Sequence, residues 1–545
     1  MEFTPTFETS LENTMKKYSV CLLISLMIST TLSALNDMPL MAELQGEHNN
    51  SGFGYSILSL DFNHDGYDDL VVLSLFYGYD YVQQTPSRGK VYIYYGGPDF
   101  SSATQPAMTL EGDYLEGMLR KVNSIRNVGD INGDGFDDLM ITITDVIYNV
   151  SDSPRFMYYY GQTDDLSTPD RVDVCDIGET KYDHYKLGDI DGDGFDDIGI
   201  RYRQGSIFCF DIQWGGSFNR HLVYSGSEIT PYASYISGIG DINADGYHDF
   251  TIGYVSDDTE PPSCIIKLYY GNPDRSFNHP IVLINTQNSI TRMGKPLSDL
   301  NGDGYDDFFA YANSTGMMLW LGNDNLDFSY PDVVLNPVLY GNTQLKGIEA
   351  GDINGDGFSD VVGASYNSRR FAVWLGSDNM DGHADWQKGS THDNFGYDLA
   401  MGDFDGDGYC DIAVSAPMEN GGIWPYHDYR GYVFIYAGNP AMVANHDLHT
   451  PQLVDQIQLK LSPNPVRSGN TINIEIRKSA DVKGKTAELQ VFNIRGQLVY
   501  QEEYKAISAD NATWSLNLNK LTNGVYLCRV KIDNLQTTKR FTIIK

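Results

Sequence analysis

The stretch that decides the fold is Phe395-Gly-Tyr-Asp-Leu-Ala-Met-Gly-Asp-Phe-Asp-Gly-Asp-Gly-Tyr-Cys-Asp-Ile-Ala-Val-Ser-Ala-Pro417. Its centre, from Asp403 to Asp411, has the form D-x-[ND]-x-D-G-[FY]-x-D. The same nine-residue pattern begins at six other places, Asp61, Asp130, Asp189, Asp241, Asp299 and Asp352. We call the copies loop one to loop seven in chain order and number their residues as positions 1 to 9.

The pattern predicts a site for a hard cation. Oxygen-bearing side chains alternate along a tight turn, glycine at position 6 permits the reversal, and position 7 can offer its backbone carbonyl. Three or four carboxylates per loop suit Ca²⁺. The ligand positions, which are 1, 3, 5, 7 and 9, carry none of the Cys or His residues that zinc prefers. We therefore expect up to seven Ca²⁺ ions. The predicted ligands are Asp61, Asn63, Asp65, Tyr67, Asp69, Asp130, Asn132, Asp134, Phe136, Asp138, Asp189, Asp191, Asp193, Phe195, Asp197, Asp241, Asn243, Asp245, Tyr247, Asp249, Asp299, Asn301, Asp303, Tyr305, Asp307, Asp352, Asn354, Asp356, Phe358, Asp360, Asp403, Asp405, Asp407, Tyr409 and Asp411.

The pattern differs from an EF-hand, which needs a glutamate at position 12 that enters a helix. Here a β-rich run such as Leu70-Val-Val-Leu73 follows position 9, so each loop is expected to join two strands. Position 8, which includes His248 and Cys410, lies between ligands and is expected to be a solvated side chain.

The spacing of the loops predicts a β-propeller. Successive first aspartates are 69, 59, 52, 58, 53 and 51 residues apart, slightly longer than the repeat of roughly 40–50 residues that marks a propeller blade. Each repeat also has an aromatic strand ending in glycine, such as Val433-Phe-Ile-Tyr-Ala-Gly438, and a further short strand. About four strands per repeat are the content of one blade. We therefore expect an all-β chain with a seven-bladed propeller.

The Phe395-Gly396 pair, the Asp-rich loop and the Ala416-Pro417 end resemble the FG-GAP repeats of integrin α subunits. Phe53-Gly54 is similar to the first element of that motif, and the other repeats are degenerate copies. The resemblance covers about residues 39–440. It implies a seven-bladed propeller with calcium between the first two strands of each blade, and here all seven loops carry the ligand set.

The two ends of the chain predict an exported protein. Lys16-Lys17, the apolar run Val20–Ile28 and Ser33-Ala34 indicate a signal peptide over residues 1–34, and we expect translation to begin at Met15. The apolar run is too short to span a membrane. After it, five cysteines remain at irregular spacing and form no disulfide framework. The propeller is expected over residues 36–440 and a linker over 441–457.

Period-2 runs between turns predict a small immunoglobulin-like β-sandwich over residues 458–545. Ser462-Pro-Asn-Pro465, Phe492-Asn-Ile-Arg-Gly496, Leu521-Thr-Asn-Gly-Val-Tyr526 and the basic end resemble the type A C-terminal sorting domain of the type IX secretion system. The resemblance implies the secretion machinery as a partner, and a secreted or outer-surface location. An ordinary terminal immunoglobulin-like module is the alternative.

The net charge and the sequence motifs argue against some classes of function but do not identify a ligand. The net charge of −36 opposes nucleic-acid binding, although the loops alone supply much of it. Motifs such as G-x-S-x-G and H-E-x-x-H are absent from the sequence. We expect a monomeric binding or adhesion module for a glycan or a surface protein, more than an enzyme. A calcium-dependent polysaccharide-degrading enzyme and a purely structural surface component stay open as alternatives.

Two expectations concern where parts of the propeller lie. Residues 39–46 should pair with Val433–Tyr436 as the outer strand of blade seven, which would close the ring and remove an open edge. The loops between second and third strands should lie on the face opposite the calcium loops. Two of them are long and aromatic, so we predict a ligand patch of Tyr79, Tyr81, Trp424 and Tyr426.

Overall fold

The fold comes from a computed structural model of the whole chain. The residues that it describes are 38–48, 51–79, 86–115, 118–147, 150–161, 165–174, 179–226, 234–256, 263–286, 290–312, 316–323, 331–335, 347–417, 430–442, 457–462, 466–467, 471–478, 487–493, 498–504, 512–517, 521, 524–532 and 535–544. They divide into two compact units, residues 1–448 and 449–545.

All elements of the described residues are strands, which confirms the all-β class. The described part of the first unit contains seven antiparallel sheets, which we number by the loop that each contains. The first strand of the chain, β1 (Leu40–Gln45), belongs to sheet seven. Sheet one is β2 (Phe53–Leu60), β3 (Asp69–Ser74), β4 (Lys90–Tyr94) and β5 (Met108–Glu111); sheet two is β6 (Asp113–Leu115), β7 (Met118–Gly129), β8 (Asp138–Ile147), β9 (Val150–Tyr159) and β10 (Arg171–Val174); sheet three is β11 (Glu179–Gly188), β12 (Asp197–Gln204), β13 (Ile207–Gln213) and β14 (Arg220–Gly226). Sheet four is β15 (Tyr235–Gly240), β16 (Asp249–Ser256), β17 (Ser263–Tyr269) and β18 (Ile281–Thr286); sheet five is β19 (Ile290–Ser298), β20 (Asp307–Ala312), β21 (Gly316–Trp320) and β22 (Val333–Leu335); sheet six is β23 (Gly347–Gly351), β24 (Asp360–Ser365), β25 (Arg370–Trp374) and β26 (Trp386–Gly389); sheet seven is β27 (Leu399–Gly402), β28 (Asp411–Ala416), β29 (Tyr432–Tyr436) and β1.

The sheets follow one another around a closed ring. The strand that precedes each loop (β2, β7, β11, β15, β19, β23 or β27) contacts the corresponding strand of the next sheet, and β27 contacts β2. The second strands are apolar because both of their faces are covered. In β3, β24 and β28 every residue is buried. Continuous apolar runs are what a strand packed on both faces requires.

The ring is closed by the amino-terminal strand, as the sequence predicts. β1 pairs antiparallel with β29, with Leu40 opposite Tyr436 and Leu44 opposite Val433. Gly46 also donates its N–H to the carbonyl of Gly431 at 3.1 Å. Sheet seven thus combines strands from both ends of the unit, and the prediction for residues 39–46 is confirmed.

The second unit consists of two sheets that share one core. β30 (Ile457–Ser462), β32 (Thr471–Lys478) and β35 (Ala512–Asn517) form one; β31 (Val466–Arg467), β37 (Leu535–Ile544), β36 (Gly524–Ile532), β33 (Ala487–Asn493) and β34 (Leu498–Tyr504) form the other. Ile472, Ile474 and Leu516 of the first sheet pack in one cluster with Leu489, Val530 and Phe541 of the second. Alternate residues of these strands face the shared core, as the period-2 runs predict.

Some predicted features lie outside the described residues. These are the signal peptide, Met15, most of the linker, and Tyr81, Trp424 and Tyr426 of the ligand patch. Among the described cysteines, Cys209, Cys410 and Cys528 are free thiols. A search of the described residues for a helix long and apolar enough to cross a bilayer finds none.

Candidate metal centres and the opposite face

Each Asp-rich loop connects the first and second strands of its sheet. Position 1 follows the last residue of the first strand, and position 9 is the first residue of the second strand, in all seven sheets. Strand-to-strand placement was predicted from the apolar runs after position 9. It puts the seven loops at the same end of their sheets.

The carboxylate at position 1 accepts hydrogen bonds from backbone N–H groups further along its loop. In loop one, Asp61 accepts hydrogen bonds from the N–H of Asp65 at 3.1 Å and of Gly66 at 3.1 Å. Gly66 has φ +90 and open space where a Cβ would lie, so the predicted glycine-dependent reversal at position 6 is present. The bond from position 6 to position 1 recurs in loops two to seven.

Positions 3 and 5 are joined by a short ladder. In loop one, the Asn63 Oδ1 accepts from the N–H of Asp65 at 3.0 Å, and the Asn63 Nδ2 donates to the Asp65 Oδ2 at 3.0 Å. The Asp65 Oδ1 in turn accepts from the N–H of Tyr67 at 3.0 Å. The amide donation from position 3 to position 5 recurs in the other asparagine loops, two, four, five and six.

Position 9 is a buried clamp between the loop and the third strand. The Asp411 side chain is 0% exposed; its Oδ2 accepts from the N–H of Phe404 at 3.0 Å and its Oδ1 from the N–H of Gly438 at 2.9 Å. The same two bonds, to position 2 and to the glycine that ends the aromatic strand, form in the other six sheets. This second role of position 9 was missed, although the glycine at the end of each aromatic strand was a signal for it.

Burial makes these carboxyl groups hard to ionise by themselves. It raises the pKa of Asp411 to about 8, because the two backbone donors do not offset the loss of water and the neighbouring carboxylates Asp405 and Asp407 raise the pKa further. Burial likewise raises the pKa of Asp69 and Asp307 to about 7, of Asp138, Asp197 and Asp249 to about 8, and of Asp360 well above the usual value. A nearby divalent cation would favour the charged form, so the set fits a cation with oxygen ligands.

Two loops bring at least three carboxylates within reach of one ion. Asp189, Asp191 and Asp193 of loop three each have an oxygen within 4.8 Å of the others, and so do Asp403, Asp405 and Asp411 of loop seven. These are the loops with aspartate at position 3. All donors offered by these clusters are carboxylate oxygens, so Ca²⁺ fits them better than zinc.

Position 8 was expected to be solvated, and the structure shows this expectation to be wrong. Asp68 of sheet one is half-buried; its N–H donates to the carbonyl of Asp403 at 3.1 Å, and its Oδ2 accepts from the N–H of Asp403 at 2.8 Å. Position 8 thus bonds position 1 of the preceding sheet. The backbone half of this pairing recurs with Asp196, His248, Asp306, Ser359 and Cys410 as donors. The residue is held between sheets because the ring brings consecutive loops side by side.

The residue before position 1 makes room for this contact. It is glycine in five loops, and a Cβ at Gly402 would lie 2.7 Å from the Cβ of Asp68. Loop five has Ser298 there at φ 57, and its partner at position 8 is the small Ser359. The contact between neighbouring loops therefore restricts the residue type both at position 8 and directly before position 1.

The face opposite the loops carries a row of four aromatic rings. Tyr55 and Tyr397 lie near the starts of β2 and β27, and Phe76 and Tyr366 lie just after the ends of β3 and β24. The ring centroids are 5.6 Å apart for Phe76 and Tyr55, 5.3 Å for Tyr55 and Tyr397, and 5.7 Å for Tyr397 and Tyr366. All four side chains are half-buried. The row crosses sheets one, seven and six.

The row lies beside Tyr79, which is the one residue of the predicted ligand patch that the structure describes. Tyr79 is 42% exposed and donates its N–H to the carbonyl of Phe76 at 3.1 Å. The Lys121 Nζ lies 5.7 Å from the Phe76 ring centroid, and burial lowers the pKa of Lys121. Sequence reasoning had chosen Tyr79 but none of the four rings of the row, since they come from three distant repeats.

Comparison with known families agrees with both predicted resemblances. Residues 53–94 and 395–436 match the FG-GAP repeat, and residues 299–363 and 352–414 match the FG-GAP-like repeat. Residues 460–545 match the secretion system C-terminal sorting domain. That domain marks proteins exported by the type IX system to the cell surface or beyond, so the chain is a secreted or surface protein.

Curated relatives include integrin α subunits. Integrin alpha-5 of Xenopus laevis is 35% identical over 106 residues, 19% of this chain and 10% of that protein. Integrin alpha-PS3 of Drosophila melanogaster is 26% identical over 165 residues, 29% of this chain and 14% of that protein. The matched part is thus only about a tenth to a seventh of these relatives' length.

Solved structures with a similar outline have low similarity scores. PorZ, a surface component of the type IX secretion system of Porphyromonas gingivalis, has a TM-score of 0.35 at 12% identity, over 90% of this chain and 59% of that one. A rhamnogalacturonan lyase of Bacillus licheniformis has a TM-score of 0.34 at 11% identity, over 73% of this chain and 76% of that one.

Proposed function

We propose that this chain, which carries FG-GAP repeats and a C-terminal secretion sorting domain, is an exported calcium-stabilised propeller that binds an extracellular glycan. The observation that carries the ligand part is the row formed by Phe76, Tyr55, Tyr397 and Tyr366. The domains would be a signal peptide, the propeller over residues 36–440, a linker and the sorting domain over 458–545.

Calcium is proposed from the donor sets of the seven loops. Positions 1, 3, 5 and 9 would supply side-chain oxygens and position 7 a backbone carbonyl. The ion would add positive charge beside buried carboxylates, whose ionised form burial otherwise disfavours. Binding to the folded state alone would stabilise the propeller by mass action. Calcium would then serve the scaffold, while ligand contact takes place at the other end of the sheets.

A glycan is favoured over other ligands by the chemistry of the row. Four half-buried rings in succession offer apolar surface that a run of sugar rings can cover, while their edges and the Tyr hydroxyls stay close to water. Lys121 on one side and Asp398, whose Oδ2 accepts from the N–H of Ile57 at 3.0 Å, supply polar groups next to the rings. Exposed apolar surface with a polar rim is typical of binding sites.

The test is glycan-array binding by the calcium-loaded secreted protein and by two variants. Tyr366→Ala removes the outer ring of the row, and Tyr160→Ala removes a half-buried tyrosine next to the Asp-rich loops as a matched control. We expect at least about a tenfold loss of affinity for Tyr366→Ala, since a stacked ring contributes roughly 1.5 kcal/mol or more, and no loss for Tyr160→Ala. Equal binding by both variants, or binding to a surface protein and to no glycan, would contradict the proposal.

A further inference from the structure

In loop three, a neighbouring sheet supplies a cation to the side chains at positions 3 and 5. Arg275 lies in the turn that follows β17 of sheet four, and its guanidinium reaches back to loop three of the preceding sheet. The Arg275 Nη2 donates to the Asp193 Oδ2 at 2.9 Å, and the Arg275 Nε forms an ion pair with the Asp191 Oδ2. Asp191 is at position 3 and Asp193 at position 5. The Asp191 side chain is 2% exposed and the Arg275 side chain 39%, so the carboxylate end of this pair is shielded from water while the guanidinium is partly exposed.

The turn is built to hold Arg275 in this place. Asn272 donates its N–H to the carbonyl of Ile190, position 2 of loop three, at 2.8 Å. The Asn272 Oδ1 accepts from the N–H of Ser276 at 3.0 Å, which closes the turn around Arg275 at φ 53. The Arg275 Cζ lies 4.3 Å from the centroid of the buried Trp214 ring. A planar guanidinium held over an indole loses little further freedom when it binds carboxylates.

The corresponding turn of sheet one holds an apolar residue at the position of Arg275. Gly97 donates its N–H to the carbonyl of Phe404 at 2.8 Å, as Asn272 does to Ile190, and Phe100 stacks on Phe404 at 5.8 Å. Phe100 and Arg275 both come four residues after the glycine that ends the aromatic strand. This turn of sheet one contacts loop seven. Loop seven also has aspartate at position 3, but the turn places the phenyl ring of Phe100 against this loop instead of an arginine.

The guanidinium makes the bond that asparagine makes elsewhere. In loops with asparagine at position 3, the Nδ2 donates to the Oδ2 of position 5, for example from Asn132 to Asp134 at 2.8 Å. In loop three a second carboxylate oxygen replaces that donor. Two oxygens would then face each other, and like charges at short range repel. Arg275 lies against both oxygens and restores the donor.

We propose that Arg275 is a positioning residue that holds loop three closed without a metal ion, in the role that the asparagine amide has in five other loops. Loop seven, which has the same aspartate and no arginine in that turn, depends on a bound cation for its conformation. The first statement is independent of calcium binding, and the second rests on the proposed function.

Hydrogen exchange followed by mass spectrometry in excess chelator tests the proposal. The amides to follow are those of Asp193, Gly194 and Phe195, all of which donate to loop carboxylates. We expect the wild-type peptide of loop three to exchange more slowly than that of loop seven. Arg275→Gln should speed exchange in loop three about tenfold or more, since a charge-assisted hydrogen bond is lost and ~1.4 kcal/mol corresponds to tenfold.

The rescue variant separates this role from general destabilisation. Asp191→Asn added to Arg275→Gln recreates the asparagine arrangement and should return the exchange of loop three to nearly the wild-type rate. Arg369→Gln is the matched control, because Arg369 also has φ 53 and an ion pair, with Asp393, in sheet six. It should leave loop three unchanged.

Two outcomes would overturn the proposal: equal exchange of loops three and seven in wild-type protein with chelator, or no rescue by Asp191→Asn. Calorimetry with Ca²⁺ on the same samples separates it from the proposed function. If no Ca²⁺ binds, the calcium part of that function fails, and the effect of Arg275→Gln in chelator is still expected.

Discussion

Replacing Asp411 should destabilise the propeller with or without calcium. Its two oxygens accept from the buried N–H groups of Phe404 and Gly438, at 3.0 and 2.9 Å. Asp411→Ala leaves both donors unpaired in a place that water does not reach. Each such donor costs about 1–3 kcal/mol, so the loss that does not depend on metal is roughly 2–6 kcal/mol.

Asp407→Ala is the matched comparison. Asp407, at position 5 of the same loop, is exposed and accepts a bond from the N–H of Tyr409 at 2.9 Å. Its loss in chelator should be only about 1 kcal/mol. In calcium the loss should be larger, because a proposed ligand is removed as well.

Urea unfolding of the wild type and of both variants, in saturating Ca²⁺ and in chelator, measures these differences. Chelation should lower the stability of the wild type, because carboxylates crowd within each loop and repel one another. Asp411→Ala should cost several kcal/mol under both conditions, and Asp407→Ala mainly in calcium. If Asp411→Ala were harmless in chelator, the clamp would be refuted; an unchanged wild type in chelator would refute calcium stabilisation.

Three more predictions follow from other parts of the first unit. Burial, with smaller contributions from two arginines, lowers the pKa of His184 to about 3. Its folded pKa is depressed, so stability present above pH ~6.5 is lost as the pH falls, by roughly 2 kcal/mol at pH 5; between pH ~7 and pH ~5, urea unfolding should show the wild type losing this amount relative to His184→Gln, in which only the other titrating groups act. Deleting residues 39–46 exposes the edge of β29, so light scattering should detect association that the full chain does not show. Tyr79→Ala combined with Trp424→Ala should abolish ligand binding on the array while the calcium-dependent melting curve stays in place; normal binding would move the site elsewhere.

The closure of the ring shows what local sequence can predict. The sequence of residues 39–46 predicts a strand that precedes the first repeat. The seventh repeat has no sequence that predicts its own outer strand. Pairing residues 39–46 with the third strand of the seventh repeat leaves no open sheet edge between the first and last repeats. In the structure β1 pairs with β29 in this way. The loops were equally readable, because the order of Asp, Asn and Gly within nine residues sets where backbone donors and side-chain oxygens meet.

The contacts between repeats could not be read from one repeat at a time. Position 8 looked solvated because its neighbours in sequence are loop residues, but the ring places it against position 1 of the preceding sheet. The aromatic row joins Tyr55 to Tyr397 and Tyr366, more than 300 residues away along the chain. Arg275 reaches loop three from the turn of another sheet.

The sequence by itself determined the repeat, the chemistry of each loop, the all-β class and the sorting domain, because these depend on residues within one short stretch. Only the tertiary structure decided the hydrogen bonds of position 9 within each sheet and the contacts between different repeats, namely those at position 8, the aromatic row and the ion pairs of Arg275. Such contacts form when sheets pack side by side, and the packing follows from burying apolar faces whose mutual orientation no single repeat encodes.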